Sequence, residues 1–211
     1  MTSGDGTYTG LLPELAPGAQ ALVDASKRLL MDRGIDALRV EKVTAAAGQN
    51  KAMVSYYFGG KAAMLAVVVD SLIHEAVEEL AAQADRLPEG EARLEAHVDA
   101  TLKLMQTPEF LATLDVAPAA FRNDDLRARL ANLYTWYREV NAKCLNPDVD
   151  PAQSERLSGL ATLFVAVIDG LAIQWALDPE GVDLESVGRL LKEIVGYVAG
   201  PGGPGVDDVT E

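Results

Sequence analysis

A single cysteine, Cys144, in 211 residues leaves no partner for an intrachain disulfide and no multi-cysteine metal site. Histidine is nearly as scarce. His74 and His97 are the two, and neither stands at a spacing that would pair it with a nucleophile or a second metal ligand. The chain therefore reads as neither an enzyme nor a metal or cofactor protein. Basic residues are also in deficit, 18 Lys and Arg against 32 Asp and Glu, for a net charge of −14 at pH 7. That balance excludes a protein that coats nucleic acid through bulk basicity. No signal peptide is visible, which makes the cytoplasm the expected address.

Long apolar runs are few, and one needs a membrane test. Gly159 to Leu177 reads GLATLFVAVIDGLAIQWAL, nearly long enough to span a bilayer. Asp169 at its centre and Gln174 near its end would be costly in hydrocarbon. A helix buried on several sides in a soluble protein explains the same pattern. With 49% hydrophobic residues the chain is globular rather than disordered, and its length suits one domain or two small ones.

What is present is helical period and helix punctuation, with no convincing alternating strand. The expected fold is all-α: a three-helix head over 19–65 and a helical body over 66–199, flanked by tails at 1–18 and 200–211. Helices are expected at about 19–33, 40–47, 51–58, 61–84, 91–106, 109–121, 124–144, 152–178 and 183–199. Gly34, Gly48 and Gly59-Gly60 serve as stops, and Asn50 is placed to cap the third helix.

The head departs from the acidic average. Between Ala19 and Lys61 there are seven basic and four acidic residues, so this stretch carries +3 and the remainder −17. A basic module on an acidic body suits a site-directed DNA binder, because the body discourages non-specific adhesion to phosphate. The second and third helices, joined by Gly48-Gln49-Asn50, have the proportions of a helix-turn-helix. Val40, Val43 and Ala47 are expected to lock the second helix, and Val54 and Phe58 to seat the third. The opposite face of the third helix then offers Lys51, Ala52, Ser55 and Tyr56, short or hydrogen-bonding side chains suited to a major groove.

The run VTAAAGQNKAMVSYYFGGKAAML, Val43 to Leu65, resembles the signature of the TetR family, and its SYYFGGK spelling is closest to the BetI-like group. The resemblance implies a ligand-responsive transcriptional regulator, usually a repressor, that binds a palindromic operator as a homodimer. It implies base or adjacent phosphate contacts for Lys51, Ala52, Ser55 and Tyr56, beside the capping Asn50. It further implies phosphate contacts for Tyr57 and Lys61. Arg39 stands where the family usually places a capping Ser or Thr. Its side chain is long enough to reach phosphate, but the cap is lost. Packing alone is the alternative role for Tyr57.

In the body, the last two helices carry broad apolar surfaces, and two from each of two chains would make a four-helix interface. Phe164, Ile168, Leu171, Trp175, Leu190, Leu191, Ile194 and Val198 are its candidate residues. For a ligand cavity with apolar walls and a few polar anchors, the candidates are His97, Met105, Phe110, Tyr134, Tyr137, Asn141 and Asp169. An aromatic cluster at this spacing is as readily core as cavity. The rival reading is a helical interaction module that has kept the fold and lost operator binding.

Overall fold

The computed structural model describes residues 14–86, 90–146 and 155–199. Among them the regular structure consists of α1 (Pro17–Arg33), α2 (Val40–Ala46), α3 (Ala52–Phe58), α4 (Lys61–Asp85), α5 (Glu91–Leu104), α6 (Pro108–Ala120), α7 (Asp124–Leu145), α8 (Glu155–Leu177) and α9 (Leu184–Ala199), plus a 3-10 turn at Ile35–Ala37. The all-α expectation holds. Residues 1–13 of the expected N-terminal tail, the expected tail at 200–211, and residues 147–154, which include the expected start of the helix at 152–178, lie outside the described residues.

Helix ends follow local chemistry. Pro17 opens α1, where its missing N–H costs nothing, so the helix begins inside the stretch expected to be tail. Gly34 closes α1 with φ 71°, and its N–H reaches the Leu30 carbonyl at 2.9 Å. The Asp115 carboxylate accepts the Ile35 N–H at 2.6 Å and would lie 3.0 Å from a Cβ at Gly34. Both the dihedral and the close approach require glycine there. Asn123 and Asp183 act as side-chain caps, accepting the N–H groups of Leu126 at 2.9 Å and Ser186 at 3.0 Å.

The chain packs as two compact units, the first containing residues up to Glu75 with Pro108–Trp136, the second Ala76–Thr107 with the residues from Tyr137 onward. The first unit's core draws on helices beyond the expected head. Ala112, Val116 and Ala120 of α6, and Leu126, Leu130 and Leu133 of α7, join one apolar cluster with Leu22, Leu30, Val43, Val54, Met64 and Leu72. Spacings of three and four residues put each set on one helix face. The polar exception on α1 is Ser26, fully buried, whose hydroxyl donates back to the Leu22 carbonyl at 2.8 Å.

In the second unit α5 packs against α9, and α8 against α9. Gly188 lets α9 approach closely, since a Cβ there would meet Leu102 at 3.0 Å. Lys192 bridges to Asp99 at 2.7 Å across the same helix pair. α8 differs from its expected burial on several sides. It is long and apolar enough to cross a membrane by length and composition, yet only 33% of its most apolar window is buried within this chain. One face, with Leu157, Leu160, Phe164 and Ile168, is interior, while Leu163, Ile173 and Leu177 are exposed.

Candidate nucleic-acid interface

The tight link between α2 and α3 is built from backbone chemistry. Gly48, at φ 63°, reverses the chain after α2, and the Gln49 N–H returns to the Thr44 carbonyl at 2.8 Å. Asn50 then accepts the Ala52 N–H on its side-chain oxygen at 2.8 Å, satisfying one of the donors that a helix start leaves open. The expected capping role of Asn50 is met, with Lys51 rather than Asn50 at the cap position. Gly59, left-handed at φ 77°, closes α3 through its N–H to the Ser55 carbonyl at 2.9 Å.

Val54 is 2% exposed and Val43 is fully covered, so the inner faces of α3 and α2 are fixed by the core. Val40, Ala47 and Phe58 are half-buried and pack against the same core, as their expected roles require. Lys51, Ala52, Ser55 and Tyr56 are all exposed, Tyr56 to 75%. An aromatic side chain held this far into solvent forgoes the usual gain from burial. Lys61 is exposed on the first turn of α4, where the helix end favours an anion.

Tyr57 is half-buried. Its ring meets Tyr56 edge-on at 5.0 Å and Phe58 at 6.3 Å, and its hydroxyl lies over Gly18 on the first turn of α1. Arg39 is exposed, has extended backbone at the start of α2 and supplies no side-chain cap, as its identity foretold.

Two features were not legible in the pattern of the sequence. Glu41 on α2 accepts the Lys51 ammonium at 2.9 Å across the turn. That hydrogen bond, aided by the positive charge, lowers the Glu41 pKa. A pair ten residues apart across an irregular link obeys no helical spacing rule, so only the turn geometry reveals it. The seat that Gly18 makes for Tyr57 joins residues nearly forty apart and had no local signal either.

The seven candidate ligand residues divide between the two units. Phe110 and Tyr134 belong to the first unit, and His97, Met105, Tyr137, Asn141 and Asp169 to the second. Within the second, His97 Nε2 lies 2.9 Å from Asn141 Oδ1, and Asn141 Nδ2 donates to the Tyr137 carbonyl at 2.7 Å. His97 also stacks on Phe164, with ring centroids 5.7 Å apart. Burial lowers the His97 pKa to about 4, with the hydrogen bond to Asn141 opposing the fall and Arg93 adding to it. Burial, then the Asp169 carboxylate, raises that of Tyr137. Met105 is fully buried and Asp169 half-buried. Among the described residues no three His, Cys, Asp or Glu side chains group as a metal site would need.

The candidate interface residues divide as well. Phe164, Ile168 and Leu191 turn into their own chain's interior, so they are not available as a contact face. Leu171, Trp175 and Val198 are half-buried, and Leu190 and Ile194 are exposed. Leu163, Ile173, Leu177 and Tyr197 complete the exposed apolar strips of α8 and α9. Helical period reports that both faces of α8 are apolar, but not which of them its own chain covers.

Family models match the two parts of the chain separately. Residues 22–68 match the bacterial regulatory proteins of the tetR family, and residues 88–198 match the C-terminal model described as BetI-type transcriptional repressor. The chain belongs to the TetR family. Members bind DNA and small-molecule effectors and form dimers, and they are transcriptional regulators rather than enzymes. The HTH-type transcriptional regulator BetI of Rhizobium meliloti (strain 1021) is 27% identical over 181 residues, covering 83% of this chain and 86% of its own. Among solved structures, a TetR transcription regulator from Haloarcula marismortui superimposes with a TM-score of 0.68 at 20% identity, covering 84% of this chain and 96% of its own. The regulator FadR from Bacillus subtilis, solved with stearoyl-CoA, does so at 0.64 and 14%, covering 85% and 98%. The TetR fold thus extends across both units at identities too low to carry more than the fold.

Proposed function

We propose that this TetR-family regulator is a cytoplasmic repressor that binds a palindromic operator as a homodimer and is released by a small molecule. The observation that carries the reading is the outer face of α3. Its inner residue Val54 is fixed in the core, while Lys51, Ala52, Ser55 and Tyr56 stand in solvent between the Gly48 turn and the Gly59 stop. In a major groove these side chains read bases, and Lys61, Tyr57 and Arg39 hold the flanking phosphates. The +3 charge of the stretch from Ala19 to Lys61 supports it, for the rest of the chain would repel DNA.

The exposed strips on α8 (Leu163, Ile173, Leu177) and α9 (Leu190, Ile194, Tyr197) support a dimer. Large apolar side chains grouped by helical spacing are costly in water and fit a second copy of themselves. Two copies then present two recognition helices to the two halves of a palindrome.

Response to a ligand is supported by the buried polar group around His97. The structural relative FadR was solved with stearoyl-CoA, and the relative EbrR, a multidrug binding protein, with imidazole. α4 and α7 each contribute residues to both units, and they are the helices through which a ligand in the second would bias the first. Shifting the DNA-competent form from 99:1 to 1:99 requires a preference of about 5.5 kcal/mol.

Selection of bound fragments from the source genome tests the reading. A recovered inverted repeat whose affinity falls steeply between about 50 and 200 mM salt is expected. Absence of any enriched DNA would return the chain to the class of interaction modules.

A further inference from the structure

The buried hydrogen-bond chain in the second unit has a direction that can be worked out. Asn141 Nδ2 donates to the Tyr137 carbonyl at 2.7 Å, and turning the amide over would set two acceptor oxygens against each other. Asn141 Oδ1 therefore faces His97 Nε2 at 2.9 Å, and only a protonated Nε2 can satisfy it. A neutral imidazole with its proton on Nε2 leaves Nδ1 as a bare acceptor. His97 Nδ1 is buried without a hydrogen-bond partner, on a residue 1% exposed; the Tyr137 hydroxyl, on a residue 4% exposed, has none in good geometry, with the Asn141 side chain near enough to act on it. The ring cannot turn to seek one, because Asn141 holds its edge and Phe164 its face.

We propose that His97 Nδ1 and the Tyr137 hydroxyl are the polar anchors of an effector subsite that takes a small molecule bearing an O–H or N–H donor. The proposal rests on the reading of this chain as a ligand-responsive regulator, and deepens it by naming the effector's chemistry. Buried polar atoms are paired in nearly all folded proteins, and unpaired ones held in a fixed direction suit a ligand. The class follows from hydrogen bonding: a bare Nδ1 takes a donor and turns away an acceptor or an anion. Tyr137, kept protonated at neutral pH beside Asp169, supplies a second polar atom that can donate or accept.

Phenol and toluene are matched probes, alike in size and differing by the donor. The experiment follows the ring nitrogens of His97 in the nitrogen-15-labelled full chain near pH 7. With two histidines in the sequence, the His97→Gln variant assigns the signals by loss. The expected results are an Nε2-protonated neutral ring, a saturable shift of Nδ1 on adding phenol, and no shift with toluene. Tyr137→Phe should weaken phenol binding about fivefold, the effect of one lost hydrogen bond. A ring protonated at Nδ1 would overturn the proposal, as would an Nδ1 signal unmoved by phenol or moved equally by toluene. Selection of genomic fragments with the same preparation separates the two readings. Enriched DNA without a phenol response removes the subsite alone, whereas absence of enriched DNA removes the regulator reading whatever His97 does.

Discussion

A buried imidazole that stays neutral in the folded chain makes stability depend on pH, and His97 allows the size of that dependence to be worked out. Burial strips the imidazolium of its hydration, and the hydrogen bond His97 donates to Asn141 restores only part of the loss while Arg93 adds repulsion. The pKa falls from 6.5 to about 4. Because the folded value is the lower one, the unfolded chain takes up the proton first. The stabilising contribution is whole above about pH 6.5 and is lost progressively as pH falls toward about 4. Below that, both states are protonated and nothing further is lost. By linkage the loss is about 2 kcal/mol at about pH 5 and roughly 3 kcal/mol at its limit. Urea unfolding at fixed protein concentration, near pH 7 and near pH 5, measures it in the wild type and in His97→Gln. Glutamine can keep a hydrogen bond to Asn141 and does not titrate. The carboxylates that also titrate in this range act alike in both chains, so the difference isolates His97. The wild type should lose about 2 kcal/mol more than the variant. Equal losses would refute the assignment of a neutral buried imidazole.

The remaining predictions concern the DNA face and the apolar strips. Lys61→Ala and Tyr57→Phe should weaken binding to every sequence alike, with the lysine change reducing the salt slope by about one, as fluorescence anisotropy over a salt series would record. Gly18→Ala puts a Cβ against the Tyr57 hydroxyl and 3.0 Å from its Cζ. It should weaken DNA binding with little change in melting temperature, and Tyr57→Phe in the same chain should compound the loss by less than it costs alone. Glu41→Gln removes the negative charge paired with Lys51 at 2.9 Å. Affinity for unrelated DNA should rise by about two- to fivefold, the modest effect proper to an exposed pair, and operator discrimination should fall accordingly. Leu190→Glu with Ile194→Glu should yield a folded monomer by light scattering, and a dimer that survives both changes would place the interface elsewhere.

Much of the head was legible because its signals are local. Gly48, Gly59 and Asn50 act through their own backbone or the next few residues, and Val54 is interior because its neighbours by helical period are. Features that depend on which helix lies opposite were not legible. The apolar residues of α6 were visible as a face, but nothing in their spacing tells whether Leu22 and Val43 or the helices of the second unit meet them. The same blindness affected α8. Phe164 and Leu163 are adjacent and similarly apolar, yet one is 2% exposed and the other 58%. A ligand site suffers most. The significance of His97 comes from an amide orientation set by a carbonyl on the facing helix α7, and composition cannot show it.

The apolar character of α8 has two physical explanations that the structure weighs unequally. A bilayer span needs every side to be apolar or internally paired over its length. α8 carries Asp169 near its middle and Gln174 a turn later, and it continues through Asp178, Pro179 and Glu180 into α9. The apolar strip on α9 answers the same question from a helix that cannot span. It has 16 residues, with Leu190, Ile194 and Tyr197 exposed on one side while Arg189 pairs with Glu185 and Lys192 with Asp99. A membrane would have to accept those charges along with the strip, whereas a second copy needs to cover the strip alone. Two helices of unequal length presenting the same kind of surface therefore favour a protein partner, and the double substitution on α9 tests that choice without touching α8.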